Sequence, residues 1–138
     1  MTTVRELMSQ NPVCIQAEDT LVTVAAKMRD AGVGSLPMCD AQQRPVGILT
    51  DRDIVVGSVA EGSDPERTRA ADIIKQNPVC VGAGVPVDEA LTLMSRNQIR
   101  RMPVIDMDQR LIGMIAQADI AREQSENQTG SVVTAISR

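Results

Sequence analysis

The sequence predicts a mixed α/β (α+β) fold made of two like βαββα repeats packed about a pseudo-twofold axis. The tetrapeptide Asn11-Pro-Val-Cys14 recurs unchanged as Asn77-Pro-Val-Cys80, 66 residues further along the chain. One register kept without a gap over about forty positions indicates a duplicated unit. A half of about 60 residues buries little surface alone, so we expect the halves to pack together around a functional cleft. The same offset relates Met28 to Met94, Pro37 to Pro103, Asp40 to Asp106, Gly47 to Gly113 and Asp53 to Asp119.

Both halves carry the same order of secondary-structure signals. In the first, apolar residues at i, i+3, i+4 and i+7 from Leu21 predict a helix, with Thr20 as its N-cap and Gly32 as its stop. In the second, the matching stripe starts at Val87, and Pro86 stands near its beginning. The predicted elements are strands over 13–15, 36–39 and 46–49 with helices from Leu21 and Asp51, then strands over 79–81, 102–105 and 111–115 with helices from Val87 and Gln117.

The repeat and the turn signals together divide the chain. We place the first repeat at residues 1–57, a linker at 58–66 and the second repeat at 67–123. Residues 124–138 begin as a polar spacer and end with Val132, Val133 and Ile136. That spacing allows a short C-terminal helix.

The composition argues against several classes of function. The chain has 138 residues, a net charge of −4, no aromatic residue and no Lys/Arg run, so we expect no nucleic-acid partner. It also has no histidine and no Cys-x-x-Cys pair, so we expect no metal site, no catalytic residue and no enzyme activity. Without a long apolar run or a secretion signal, we expect no membrane contact and a cytoplasmic location.

The pair Thr50-x-x-Asp53 has two interpretations. Read locally it is a capping box, in which the threonine hydroxyl and the carboxylate each accept an N–H of the first helical turn. Read as part of a cleft, a helix start offers N–H groups to an anion, and the carboxylate can bind a ribose diol. The second repeat keeps Asp119 but has Ala116 in place of the threonine.

The arginines are placed unevenly between the repeats. Arg100 and Arg101 stand where the first repeat has Gly34 and Ser35. Guanidinium groups beside a cleft strand suit phosphate, which they bind bidentately, whereas the alternative is a solvated strand edge. Arg52 is a further phosphate candidate, and its alternative is an ion pair on the helix face.

The doubled pattern resembles the cystathionine-β-synthase (CBS) domain pair, or Bateman module. The resemblance is carried by both Asn-Pro-Val-Cys segments, by GSLPMCD and GILTDRDIV, and by RRMPVID and GMIAQADI, over about residues 4–122. The layout is similar to small stand-alone actinobacterial CBS-pair proteins. This implies a homodimeric signalling module with an adenine nucleotide (AMP, ADP or ATP) as regulatory ligand, no catalytic cofactor, and an unidentified protein partner.

The resemblance also implies where such a ligand binds. Because Ala116 departs from the family pattern, we expect one competent site and one weakened or empty site. The implied contacts are Thr50, Asp53 and Asp119 for the ribose, Arg100 and Arg101 for the phosphate, and Val13, Cys14, Ser35, Leu36 and Pro37 for the adenine pocket.

The alternative function is a stress- or redox-responsive protein-interaction module that binds no nucleotide. The resemblance suggests a Cys14–Cys39 disulfide, which requires Cα atoms within about 7 Å of each other. The other interpretation is that these are buried apolar thiols that a cytosol keeps reduced.

Overall fold

The computed structural model describes residues 1–126, apart from the side chain of Gln76. The C-terminal helix predicted near residues 132–136 lies outside this range. The elements in chain order are α1 Val4–Leu7, β1 Ser9–Gln10, α2 Leu21–Ala31, β2 Ser35–Cys39, β3 Pro45–Thr50, α3 Asp51–Ile54 continued by a π-helical turn Val55–Val59, α4 Ala70–Ile73, β4 Lys75–Gln76, β5 Val81–Gly82, α5 Val87–Asn97, β6 Arg101–Ile105, β7 Leu111–Ala116 and a helix α6 over 117–126.

The predicted α+β fold of two like halves is confirmed. One sheet has the order β2-β3-β4 and the other the order β1-β7-β6-β5, and the hairpins β2-β3 and β6-β7 are antiparallel. Each sheet packs with its own helices around a separate apolar core, one with Leu21, Val24 and Leu49 and the other with Met94 and Met102.

The ends of the two long helices agree with their sequence signals. The Thr20 hydroxyl accepts the N–H of Thr23 at 3.2 Å, and Gly32 ends α2 in the left-handed conformation at φ 67°. In the second repeat Pro86 is the N-cap, and Gln98 takes the left-handed position at φ 53°. Gln98 is the counterpart of Gly32, so the repeats share the turn although only one has the residue that adopts it without strain.

The first predicted strand of each repeat is much shorter than its apolar run. In the first repeat only Ile15 pairs, as a parallel bridge with Met38. In the second, β5 begins at Val81 and pairs in parallel with β6. The prediction of strands from residues 13 and 79 was therefore wrong in extent, because Pro12 and Pro78 have no N–H to donate and the chain is still leaving a turn.

The segment that precedes each repeat packs on the other repeat. Strand β1 pairs with β7, and β4 pairs with β3. Val4 accordingly lies in the core of the second repeat, and Ala70 lies in the core of the first. The two repeats thus exchange their leading segments, an arrangement that the sequence analysis missed.

The exchange explains why both repeats keep a glycine in the middle of the third strand. A Cβ atom at Gly47 would lie 2.9 Å from the carbonyl oxygen of Lys75. A Cβ atom at Gly113 would lie 2.8 Å from the carbonyl oxygen of Ser9. The exchanged segment passes so close to each strand that only glycine leaves room for its backbone.

Candidate ligand site between the repeats

Ser35 and Arg101 mark the pseudo-twofold axis. They are equivalent positions, 66 residues apart, and their side chains nevertheless touch. The Arg101 Nη1 donates to the Ser35 carbonyl oxygen at 3.5 Å and to the Ser35 Oγ at 3.4 Å. Two equivalent residues can meet only near the axis that relates them, so the first residues of β2 and β6 lie at the centre of the cleft.

One corner of the cleft carries the Thr50 and Asp53 pair. The Thr50 hydroxyl accepts the Asp53 N–H at 3.0 Å, and Asp53 Oδ2 accepts the Thr50 N–H at 3.0 Å. This confirms the capping-box interpretation, which is compatible with ligand binding. Thr50 is also paired directly with Ser35 in the β2-β3 ladder. Side chains of directly opposed residues share a sheet face, so the Arg101 guanidinium reaches the side on which Thr50 stands.

The opposite corner is built differently. Ala116, which pairs with Arg101, has no hydroxyl, and no capping box forms with Asp119. The Asp119 carboxylate instead accepts Arg122 Nη2 at 3.1 Å. The counterpart of Arg122 in the first repeat is Val56, so Asp53 has no such cationic neighbour.

Arg101 is a half-buried cation without a counterion. Among the described residues no carboxylate oxygen lies within 4.0 Å of it, and its Nε is buried without a hydrogen-bond partner. A desolvated guanidinium that lacks an acidic partner is destabilising unless an anion binds it. The geometry therefore suits a phosphate or another oxyanion at the centre of the cleft.

The other two predicted phosphate ligands are exposed. Arg100 presents its carbonyl oxygen to the Gln117 N–H at 2.8 Å, and its side chain is in solvent. The Arg52 side chain is also exposed and forms no ion pair with a described carboxylate. Both remain predictions, since neither side chain has a contact that places it in the cleft.

The predicted adenine pocket lies partly on the cleft face of β2. Leu36 packs in the core of the first repeat, so its side chain is directed away from the cleft. Because side chains alternate along a strand, Ser35, Pro37 and Cys39 face the other repeat. Ser35 and Pro37 are buried there, whereas Val13 is 40% exposed at the rim.

The thiols of Cys14 and Cys39 come together beside this strand. Both are free, so the disulfide considered from the sequence is absent from this structure. The hydrogen bond from Cys39 lowers the pKa of Cys14, and the Lys27 ammonium contributes further. That hydrogen bond and burial raise the pKa of Cys39. Cys80, the counterpart of Cys14, has its pKa raised by burial.

A groove lies between the two helices of the first repeat. A cavity of about 510 Å³ opens between α2 and α3, lined by Met28, Val33 and Val55 and by the charged side chains of Arg29 and Asp51. Four valines on these helices are exposed by 46–61%. They are Val22, Val55, Val56 and Val59, and their counterparts in the second repeat are Asp88, Ala121, Arg122 and Ser125.

Within residues 1–126, no three His, Cys, Asp or Glu side chains are grouped so that they could hold a metal ion. None of the helices in the same range has the length and apolar character that crossing a membrane requires.

Comparison with known proteins identifies both repeats. Residues 4–58 and 70–126 each match the CBS domain family. Hypoxic response protein 1 of Mycobacterium tuberculosis is 38% identical over 136 residues, which cover 99% of this chain and 94% of that protein. Its crystal structure, which contains two coordinated zinc ions, has a TM-score of 0.81 at 39% identity and covers 88% of this chain and 98% of that chain.

Two other solved structures show ligands and assembly in similar proteins. The CBS domain pair of MJ0100, in complex with 5′-methylthioadenosine and S-adenosyl-L-methionine, has a TM-score of 0.81 at 25% identity over 91% of this chain and 98% of that one. The hexameric CBS-CP12 protein from bloom-forming cyanobacteria has a TM-score of 0.77 at 31% identity over 88% of this chain and 70% of that one.

Proposed function

This chain belongs to the CBS-domain family, and from that premise we propose that it is a regulatory module that binds AMP, ADP or ATP between its two repeats. The observation that carries the proposal is Arg101, a half-buried cation without a described counterion, at the axis beside the Thr50 and Asp53 corner. The adenosine compounds in the MJ0100 structure support the ligand class. The zinc in the structure of Hypoxic response protein 1 is not carried over to this chain.

Each part of the nucleotide has a proposed place. The Asp53 carboxylate uses Oδ2 in the helix cap, which leaves Oδ1 to accept a ribose hydroxyl. Arg101 binds the phosphate, and Arg100, which adjoins it in the chain, and Arg52, which adjoins Asp53, add to the positive charge around it. Adenine packs against Pro37 and the cleft side of residues 13–14, where it finds an apolar wall. Leu36 contributes no side-chain contact.

Calorimetric titration of the full chain with AMP, ADP and ATP tests this proposal. We expect saturable binding of one nucleotide per chain and a matching rise in melting temperature. Asp53→Ala removes both, whereas Asp108→Ala, which makes the same charge change in an exposed hairpin loop, leaves both intact. Absence of heat and of a melting shift at millimolar nucleotide would refute the proposal.

We also propose that the chain acts as a homodimer through the exposed valines of the first repeat. A second copy related by a twofold axis would cover Val55, Val56 and Val59 with the same residues, so apolar surface meets apolar surface. Arg29 and Asp51 both line the adjoining groove. Arg29 of one copy would then face Asp51 of the other copy across the interface. The hexameric assembly of CBS-CP12 is consistent with oligomerisation in this family.

One observation favours a second function, a redox-responsive interaction module that signals stress without binding nucleotide. Cys14 is held in thiol contact with Cys39, with a lowered pKa, so oxidation could join the two sulfurs in a disulfide. The name of Hypoxic response protein 1 agrees with a stress role. Alkylation of the cytoplasmic protein without reductant, followed by mass spectrometry, tests it, since two unmodified cysteines with a mass loss of about two hydrogens are diagnostic.

A role without catalysis completes the proposal. The module would change an unidentified protein partner through its ligand-dependent shape, and a ligand can do this only by binding one arrangement of the repeats more tightly than another. Arg101 and Ser35 lie at the contact between the repeats, so a bound phosphate would act at the point where their arrangement is set.

A further inference from the structure

The contact between Ser35 and Arg101 breaks the symmetry of the cleft. Arg101 pairs in its own hairpin with Ala116, and its side chain could lie at either corner. It instead crosses the axis to Ser35, which pairs with Thr50. Among the described residues, Arg101 is the only cation at the axis. Its side chain is directed to the corner that has the capping box.

The hydrogen bonds to Ser35 use Nη1 of the guanidinium and leave Nη2 free. Both run from Nη1, to the carbonyl oxygen and to Oγ of Ser35. Nη2 makes no hydrogen bond within the described residues and is not buried, whereas Nε is buried without a partner. Nη2 has two N–H donors, which suit an oxygen of a phosphate or carboxylate.

We infer that Ser35 is a positioning residue that holds Arg101 in place to select ligands bearing a phosphate. The inference deepens the proposed function and rests on it. Ser35 itself does not contact the ligand. It supports Arg101 and is not part of the wall of the adenine pocket. Its side chain is suited to that task because the residue is only 9% exposed and its hydroxyl accepts from Nη1.

The consequence is a ligand preference. A phosphate gains charge-assisted hydrogen bonds from the free Nη2, whereas adenosine and 5′-methylthioadenosine gain none. The sulfonium cation of S-adenosylmethionine would be repelled by the same guanidinium. This chain therefore prefers AMP to the two compounds present in the MJ0100 structure.

The test compares AMP with adenosine by calorimetry on the full chain. For the native chain we expect AMP to bind about 10- to 100-fold more tightly, the range for charge-assisted hydrogen bonds. Arg101→Gln brings AMP down to the adenosine value. Ser35→Ala lowers the ratio of AMP affinity to adenosine affinity to less than about tenfold and leaves the adenosine affinity unchanged. Ser35→Thr, which keeps the hydroxyl, restores the native ratio. Arg67→Gln, whose side chain is 89% exposed, is the matched charge control and keeps the native ratio.

The outcomes separate the two proposals. Equal affinities for AMP and adenosine in the native chain, or a ratio that survives Ser35→Ala, would overturn the inference while leaving the nucleotide-binding function in place. Binding of neither compound would overturn both. Because the readout is a ratio between two ligands on the same variant, a general loss of stability in Ser35→Ala lowers both affinities together and cannot imitate the expected result.

Discussion

The two corners of the cleft come from one duplicated unit, yet they carry different chemistry. At the first corner Thr50 and Asp53 cap a helix, and Arg101 arrives from the other repeat without a counterion. At the second corner Asp119 is already paired with Arg122, and the residue across the axis is the neutral Ser35. The first corner thus has a cation without a described counterion, whereas the carboxylate of the second corner has a cationic partner.

Residues shared by the two repeats mostly build the scaffold. Gly47 and Gly113 admit the exchanged segments, and Asp40 and Asp106 each accept backbone N–H groups in equivalent hairpin loops. Among the residues that differ, Ser35 and Arg101 lie at the cleft, and Val55 and Ala121 lie on exposed helix faces. The duplication thus supplies two like frameworks, and their divergence leaves the capping box at Thr50 and the exposed valines in the first repeat.

The largest expected effect concerns the valine face. Val55→Glu should raise the dimer dissociation constant by at least about 100-fold, because it buries an unpaired carboxylate in an apolar contact. Ala121→Glu, the equivalent change on the exposed face of the second repeat, should change it by less than about threefold. Analytical ultracentrifugation measures both. A native chain that stays monomeric would refute the proposed homodimer.

The next effect compares the two exchanged segments. Gly47→Ala and Gly113→Ala should each lower the free energy of unfolding by about 1–3 kcal/mol, because a methyl group collides with the neighbouring backbone. Gly84→Ala is the control, since nothing lies within 4 Å of a Cβ atom there. Urea denaturation gives all three values. A loss at one glycine alone would contradict a symmetric exchange.

The capping box can be removed at the first corner and built at the second by exchanging the residues at positions 50 and 116. Thr50→Ala should lower the free energy of unfolding by about 0.5–2 kcal/mol through loss of the cap. Ala116→Thr should raise it by up to about 1 kcal/mol, because Asp119 stands at the right spacing to complete a second box. Thr92→Ala, on an exposed helix position, controls for helix propensity. Should Ala116→Thr have no effect, the Asp119–Arg122 pair rather than the missing hydroxyl defines the second corner.

The smallest expected effect is a difference in alkylation rate between the equivalent residues Cys14 and Cys80. Cys14 has a lowered pKa and Cys80 a raised one, so the thiolate of Cys14 forms at lower pH. Iodoacetamide should therefore modify Cys14 several-fold faster than Cys80 below pH 9, with the ratio falling as pH rises. Lys27→Met should shift the Cys14 profile to higher pH. Identical pH profiles by mass spectrometry would show that the contact with Cys39 does not activate Cys14.

Much of the fold could be predicted because its signals are local or repeated. The caps at Thr20 and Gly32 depend on neighbouring residues, and the hairpins follow from short apolar runs with polar loops between them. The exchange of leading segments was missed, although Val4, Leu7 and Met8 have the same spacing as Ala70, Ile73 and Ile74. That spacing predicts short helices, but it does not say on which repeat they pack.

The duplication and its two candidate corners can be read along the chain, because one register is kept throughout and Thr50 differs from its counterpart Ala116. The contact between Arg101 and Ser35 and the exchange of the leading segments depend on how the chain packs in three dimensions. The first contact spans the pseudo-twofold axis, and the direction of a long side chain depends on surroundings that residues distant in sequence create.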